Sequence, residues 1–259
     1  MRSQEPRIDP EAARPYGWIL ALVLPFLFAA ALPAASARTA EEWLDFVDRN
    51  LLLLHAEYSA MMTIHHPDGT ERRFAFNAKV AGDKYALLEY TEPPRDKGIR
   101  YLKREDKLWI YFPRQDRTLM LQGHMLRQGV QGGDLSYEDM TESSSMREMY
   151  TAEVISENDS TVTLELTSND PSVSYPHRTL VIEKSSGLPL KMVFAGLNGR
   201  PIKEMEVVEA STIFGRRFPV VSIYRSRLVE NKWTRFELSG VRFGVEFPPD
   251  TFTQRALSR

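Results

Sequence analysis

Beyond the first fifth of the chain, apolar residues recur at every second position, and they do so almost to the C-terminus. The segments "EYSAMMTIHH", "TERRFAFNAKV" and "DKYALLEYT" alternate or nearly alternate, with Pro67-Asp68-Gly69 as a turn between the first two. "GIRYLKRED" and "KLWIYFP" form the next pair, joined at Glu105-Asp106. After an irregular stretch the pattern resumes with "MYTAEVISEND", "STVTLELTSND", "HRTLVIEKSSG", "LPLKMVFAGLNG", "RPIKEMEVVEAS", "GRRFPVVSIYRSRLVE" and "NKWTRFELSGVRFG". Asn158-Asp159, Ser186-Gly187 and Asn198-Gly199 are good turn formers. About a dozen short strands in succession, with no second helical block, predict a mainly β domain built as one large antiparallel meander. The strands carry too many charges for a lipid-facing barrel.

A sheet of this size must cover one face. One cover is the segment "RTAEEWLDFVDRNLLLLHAE", where Thr39 and Glu42 have capping-box spacing and Trp43, Phe46, Val47, Asn50, Leu51 and Leu54 follow at helical spacing. The other is the irregular region expected from Pro113 to Arg147. It carries Leu119, Met120, Leu121, Met125, Leu126 and Val130, but its glycines prevent one long helix. "SYEDM" predicts a short helical turn, with Ser136 as N-cap and Asp139 at the reciprocal position. Such a segment reads either as a movable lid over a curled sheet or as a long buried connection.

Upstream of the helix, a basic, Pro-rich stub precedes "YGWILALVLPFLFAAALPAASA", which has no charges and ends in Ala35-Ser36-Ala37. This predicts a signal peptide over 1–37, with export to the periplasm and a mature domain over 38–259. An uncleaved inner-membrane anchor facing the periplasm is the alternative. The balance of 33 Lys and Arg against 35 Asp and Glu, net −2, gives no general attraction for nucleic acid. With no cysteine, disulfides, thiolate chemistry and cysteine metal sites are all excluded. His65 and His66 would face opposite sides of a strand, and His55, His124 and His177 are scattered. No G-x-S-x-G is present, and "GVQGGD" lacks the Lys-Ser/Thr of a phosphate loop. The expectation is a protein that is not an enzyme, with no catalytic residues, cofactor or metal.

Taken together, the leader, the amphipathic helix, "KGIRYLKREDKLWIYFPRQDR", "GGDLSYEDM", "TLVIEKSSGLPLKMVFAGLNGRPIKEMEVVEA" and "GRRFPVVSIYR" resemble the bacterial outer membrane lipoprotein-sorting family, relatives of the periplasmic carrier LolA. The resemblance spans roughly Thr39 to Ala256 and is sharpest at Gly133 to Met140 and Ser185 to Pro189. It implies an unclosed half-barrel of antiparallel strands, covered by helices and enclosing an apolar cavity for acyl chains. It also marks Gly133, Asp134, Ser136, Tyr137, Glu138 and Asp139 as a lid motif.

Candidates to line such a cavity are Phe74, Phe76, Tyr85, Leu87, Trp109, Tyr111, Leu126, Leu164, Leu166, Val193 and Met205, each of which also fits an ordinary core. A chain buried there gains roughly 0.8 kcal/mol per CH2. The function expected is carriage of a lipid or lipoprotein acyl chain toward the outer membrane, with transient membrane contact. Two alternatives are an adaptor for an inner-membrane lipid transporter of the resistance-nodulation-division type and an envelope-stress sensor module.

Overall fold

The computed structural model describes residues 38–52, 54–141, 144–170 and 173–258. The expected leader over 1–37 lies outside the described residues. Helix α1, Ala40–Leu51, begins with the capping box: the Glu42 N–H donates to Thr39 Oγ1 (3.2 Å), and the Thr39 N–H donates to Glu42 Oε2 (2.8 Å). Two of the orphan donors at the helix start are thereby satisfied. Its apolar stripe buries Trp43, Leu44 and Val47.

The strands are β1 His55–His65, β2 Glu71–Ala81, β3 Tyr85–Glu92, β4 Arg100–Arg104, β5 Lys107–Phe112, β6 Arg117–Gln122 and β7 Tyr150–Glu157. They continue with β8 Thr161–Ser168, β9 His177–Glu183, β10 Pro189–Ala195, β11 Pro201–Ile213, β12 Arg216–Ser226 and β13 Trp233–Phe243. All 13 form one open antiparallel sheet in the order β6-β5-β4-β3-β2-β1-β13-β12-β11-β10-β9-β8-β7. The antiparallel sheet expected from alternation, curled and unclosed as the resemblance implied, is therefore the fold. Part of the region read as irregular is regular, however. Residues 117–122 form edge strand β6, which pairs in register with β5 from Lys107↔Gln122 to Phe112↔Arg117. "RTLMLQ" alternates too briefly to stand out as a strand in sequence.

Between the edges β6 and β7 the chain crosses the inner face of the sheet through two 3-10 turns and the short helices α2, Tyr137–Thr141, and α3, Met146–Met149. The inner face holds two apolar clusters. One spans β1–β6, with Met62, Ile64, Phe74, Phe76, Leu88, Tyr90 and Ile110 packed under Val130 and Leu135 of the crossing segment. The other lies under α1, with Leu164, Leu166, Leu180, Ile182 and Met192. Each fully buried side chain of this kind contributes about 1.5–3 kcal/mol relative to exposure.

The outer face has a cover of its own. After β13 the chain leads to helix α4, Gln254–Leu257, which packs on β4. The Arg100 guanidinium donates to the carbonyls of Leu257 (3.0 Å) and Ala256 (3.5 Å), and the Phe252 ring lies 6.0 Å from that of Tyr85.

Candidate apolar cavity on the inner face

Strand alternation decides which candidates can meet. On β2, Phe74 and Phe76 point inward, and both rings rest on Tyr90, at 6.1 Å and 5.6 Å. Leu164 and Leu166 of β8 are fully buried in the cluster under α1, and Met205 of β11 joins them. Tyr85, Leu87, Trp109, Tyr111 and Val193 are half-buried. They alternate with the inward residues Ala86, Leu88, Leu108, Ile110, Met192 and Phe194, so they belong to the opposite face. The sheet thus separates these candidates into an inner and an outer set. Leu126 lines a different hollow, of about 460 Å3, with Lys103, Arg127 and Glu138.

An apolar cavity of about 250 Å3 lies where α1, the crossing segment and strands β9–β12 meet. Its walls are Leu51 from α1 and Leu52 just after it, Met146 from α3, and Pro189, Met192, Phe194, Met205, Pro219 and Tyr224 from the sheet, with Asp48, Asp139, Ser144, Arg178 and Ser222 as polar neighbours. It is somewhat smaller than the roughly 300–1,000 Å3 typical of small-molecule pockets. Three methionines adapt its shape, since an unbranched thioether side chain fills irregular space. A hollow of about 430 Å3 on the outer face is lined mainly by polar and charged groups, among them Glu57, Asn77, Lys79, Glu89 and Arg242, and suits an apolar ligand less well.

Polar side chains around the inner cavity are held tightly. Asp48 of α1 accepts from Ser145 Oγ (2.6 Å), the Met146 N–H (3.1 Å) and the Arg147 N–H (3.0 Å), so one helix anchors the start of another. In the crossing segment, Asp139 Oδ2 accepts from the Ser136 N–H (2.7 Å) and Ser136 Oγ (2.8 Å), and Ser136 Oγ accepts from the Asp139 N–H (3.1 Å). The same carboxylate pairs with Lys203 Nζ and accepts from the Tyr175 hydroxyl at 3.3 Å. Both partners are nearly sealed from water, with side-chain exposures of 4% for Lys203 and 8% for Asp139. The Lys203 ammonium also lies over the rings of Tyr175 (4.5 Å) and Phe194 (4.8 Å). Burial, aided by the adjacent Asp139 carboxylate, pushes the Tyr175 hydroxyl pKa up and keeps it a donor.

The other motif residues also bind the crossing segment to the sheet. Gly133 sits where an added Cβ would lie 3.1 Å from Ile64 Cδ1 and from Thr234 Oγ1. The Asp134 N–H donates to Thr234 Oγ1, which in turn donates to Asp134 Oδ2, both at 3.0 Å. Lys232 Nζ lies 3.7 Å from the other carboxylate oxygen. Burial raises the Asp134 pKa, with Lys232 and Thr234 opposing. The Tyr137 ring packs 5.6 Å from Tyr101, and Glu138 accepts from Ser174 Oγ. Among the described residues, no group of three or more His, Asp or Glu side chains could hold a metal ion.

Lys203, Arg178 and Asp48 did not stand out in the sequence, yet two of them carried a signal. Lys203 shares the inward register of Met205, and Arg178 that of Leu180 and Ile182. A charge on the buried side of an alternating strand marks a place where something must neutralise it.

A protein-family model described as "Uncharacterized protein"-like matches residues 82–259. The chain belongs to that family. No curated protein matches it. Solved structures share its fold. A LolA superfamily protein from Nitrosomonas europaea is 22% identical with a TM-score of 0.73, over 85% of this chain and 100% of that one. A DUF1329 family protein from Desulfovibrio piger is 18% identical with a TM-score of 0.75, over 85% and 100%. An outer membrane lipoprotein-sorting protein domain from Vibrio parahaemolyticus is 15% identical with a TM-score of 0.74, over 85% and 98%. The sheet described above therefore has the LolA-like fold.

Proposed function

We propose that this LolA-type protein is exported through residues 1–37 and acts in the periplasm as a carrier of one apolar chain, a lipid or lipoprotein acyl group, rather than as an enzyme. The observation that carries this reading is the apolar cavity between Leu51, Met146, Met192 and Met205. An acyl chain entering it leaves water at about 0.8 kcal/mol per CH2, so even a half-buried chain is held by several kcal/mol. The crossing segment acts as the lid, and the Asp139–Lys203 pair is its tie to β11. Entry follows movement of this segment, because the other walls are α1, held by its own buried stripe, and strands of one continuous sheet.

The test is native mass spectrometry and lipid extraction of gently purified protein, beside a Met205→Trp variant whose larger side chain fills the cavity. Acyl-chain molecules are expected with the parent protein and depleted at least severalfold in the variant. A parent protein that carries no lipid and takes none up from added fatty acid or phospholipid would sink the reading.

A further inference from the structure

The β11–β12 hairpin runs past its neighbours. Pairing of β10 with β11 stops at Lys191↔Glu206, and pairing of β12 with β13 begins at Val221↔Glu237. Residues 208–220 therefore form a two-stranded arm paired only with itself, with β11 irregular at its root, where the register shifts around Glu209. At 3.3 Å per residue the arm reaches about 20 Å from Val208 to its tip. Phe218 anchors the root of the arm, buried against Phe243 of β13 at 5.7 Å, and leaves the tip beyond it free to meet a partner outside the sheet.

The tip is built unlike the other turns. Phe214 is 75% exposed, more than any other large apolar side chain among the described residues, and its φ of 49° is one that bulky side chains rarely adopt. Arg216 and Arg217 follow and are exposed, against the single carboxylate of Glu209 on the arm. The Arg216 guanidinium stacks 5.1 Å over Phe243, whose ring also lies 6.1 Å from that of Phe214, so the Phe214 ring and the Arg216 cation are held together at one end, with Arg217 next along the strand on its other face. Val208, at 46% exposure, and Leu54, at 50%, add apolar surface toward the same end of the sheet.

We propose that this arm docks the protein on an anionic lipid bilayer, with Phe214 entering the interface and Arg216 and Arg217 meeting headgroup phosphates. An aromatic ring flanked by arginines suits the boundary between headgroups and acyl chains, and the positive charge selects an anionic surface. Pro219 and Ser222, at the root of the arm, line the inner cavity, so docking brings that cavity to the membrane. The proposal does not depend on what the cavity carries.

Vesicle co-sedimentation of the full mature protein tests it, comparing phosphatidylcholine alone with phosphatidylcholine containing phosphatidylglycerol. The parent is expected to bind the anionic vesicles and to release as salt rises. Phe214→Asn, which suits a positive φ and should leave the melting temperature unchanged or higher, is expected to weaken binding about tenfold. The double change Arg216→Gln, Arg217→Gln should remove the preference for anionic vesicles. Phe214→Trp should keep binding and show a blue-shifted emission on the vesicles. A parent protein that ignores anionic vesicles, binds uncharged ones equally well, or binds as before after the Phe214→Asn and arginine changes would overturn the proposal. Because the readout is membrane partition, it stands or falls separately from the lipid content of the cavity.

Discussion

The two halves of the inner face are covered by different means, and the cavity walled by Leu51, Met146, Met192 and Met205 lies in the half under α1. Over β1–β6 the cover is a segment with little regular structure, and its side chains descend one by one into the sheet. Tyr137 meets Tyr101, Tyr101 lies 5.3 Å from Tyr90, and Tyr90 meets both Phe74 and Phe76. Over β8–β12 the cover is α1, a regular helical rod that presents a single apolar stripe. A rod laid against a curled sheet fits closely on its inward side, here at Trp43, Leu44, Val47 and Asn50, while Leu51 at its end is only half-buried. The cavity opens at its C-terminal turn, by Leu51 and Leu52. Irregular backbone can fill a curved surface where a regular element leaves room.

The largest expected effect lies at the seam, where the cover of one half is tied into the other. Lys203→Met leaves the Asp139 carboxylate buried without its cation and should cost about 3–5 kcal/mol in urea unfolding. Adding Asp139→Asn should return much of that, because the carboxylate charge is gone while the amide oxygen can still accept from Ser136. A loss well under about 1 kcal/mol for the single change would show that the two covers are independent.

The next effect compares the seats of the two covers. At Gly187, with φ +72°, an added Cβ would meet Phe46 Cδ1 at 2.8 Å and Asn50 Nδ2 at 2.9 Å, so Gly187→Ala pushes against α1. It should cost about 1–3 kcal/mol by thermal melting. Gly133→Ala under the irregular cover should cost less, because Ile64 Cδ1 is the free end of a side chain and the closest approach is 3.1 Å. Equal losses would erase the distinction between a rigid and an adaptable cover.

The smallest effect is one of pH. Burial raises Asp134 above its ordinary 3.8, so the folded protein holds that proton more tightly than the unfolded chain does. The stability this provides is complete below 3.8 and declines as pH rises through the raised value. Asp134→Asn should remove that slope, read as urea midpoints from just above 3.8 to neutral pH, while the Thr234 hydroxyl keeps a side-chain oxygen to donate to.

Much of this architecture was legible in the residues. Period-two alternation gave the antiparallel sheet, Thr39 and Glu42 gave the start of α1, and Ser136 and Asp139 gave the cap of α2. What alternation leaves undecided is which set of alternate positions faces inward when both are apolar. β5 reads Leu108, Trp109, Ile110, Tyr111, and nothing local to that strand distinguishes the large rings from the aliphatics as core. The answer lies in the C-terminal segment, where Phe252 meets Tyr85 and Arg100 holds α4, so the outer face has apolar work of its own. The cavity was beyond local reading for a similar reason. Leu51, Met146, Met205 and Pro219 come from four separate segments, and their meeting depends on how α1 crosses the sheet.

The strand order also has a kinetic consequence. Within each arm of the sheet, every neighbouring pair is also consecutive in sequence, so β1 to β6 and β7 to β13 can each form by successive closure of short hairpins. Among the strand pairs, only β1 and β13 join distant parts of the chain, with His65 opposite Trp233. That pairing closes the longest loop in the molecule and gains its reward only after the entropy of closure has been met. The rate at which the protein becomes one body is then set at the middle of the sheet, and mutations along the β1–β13 ladder should slow folding more than equally destabilising mutations in the outer hairpins.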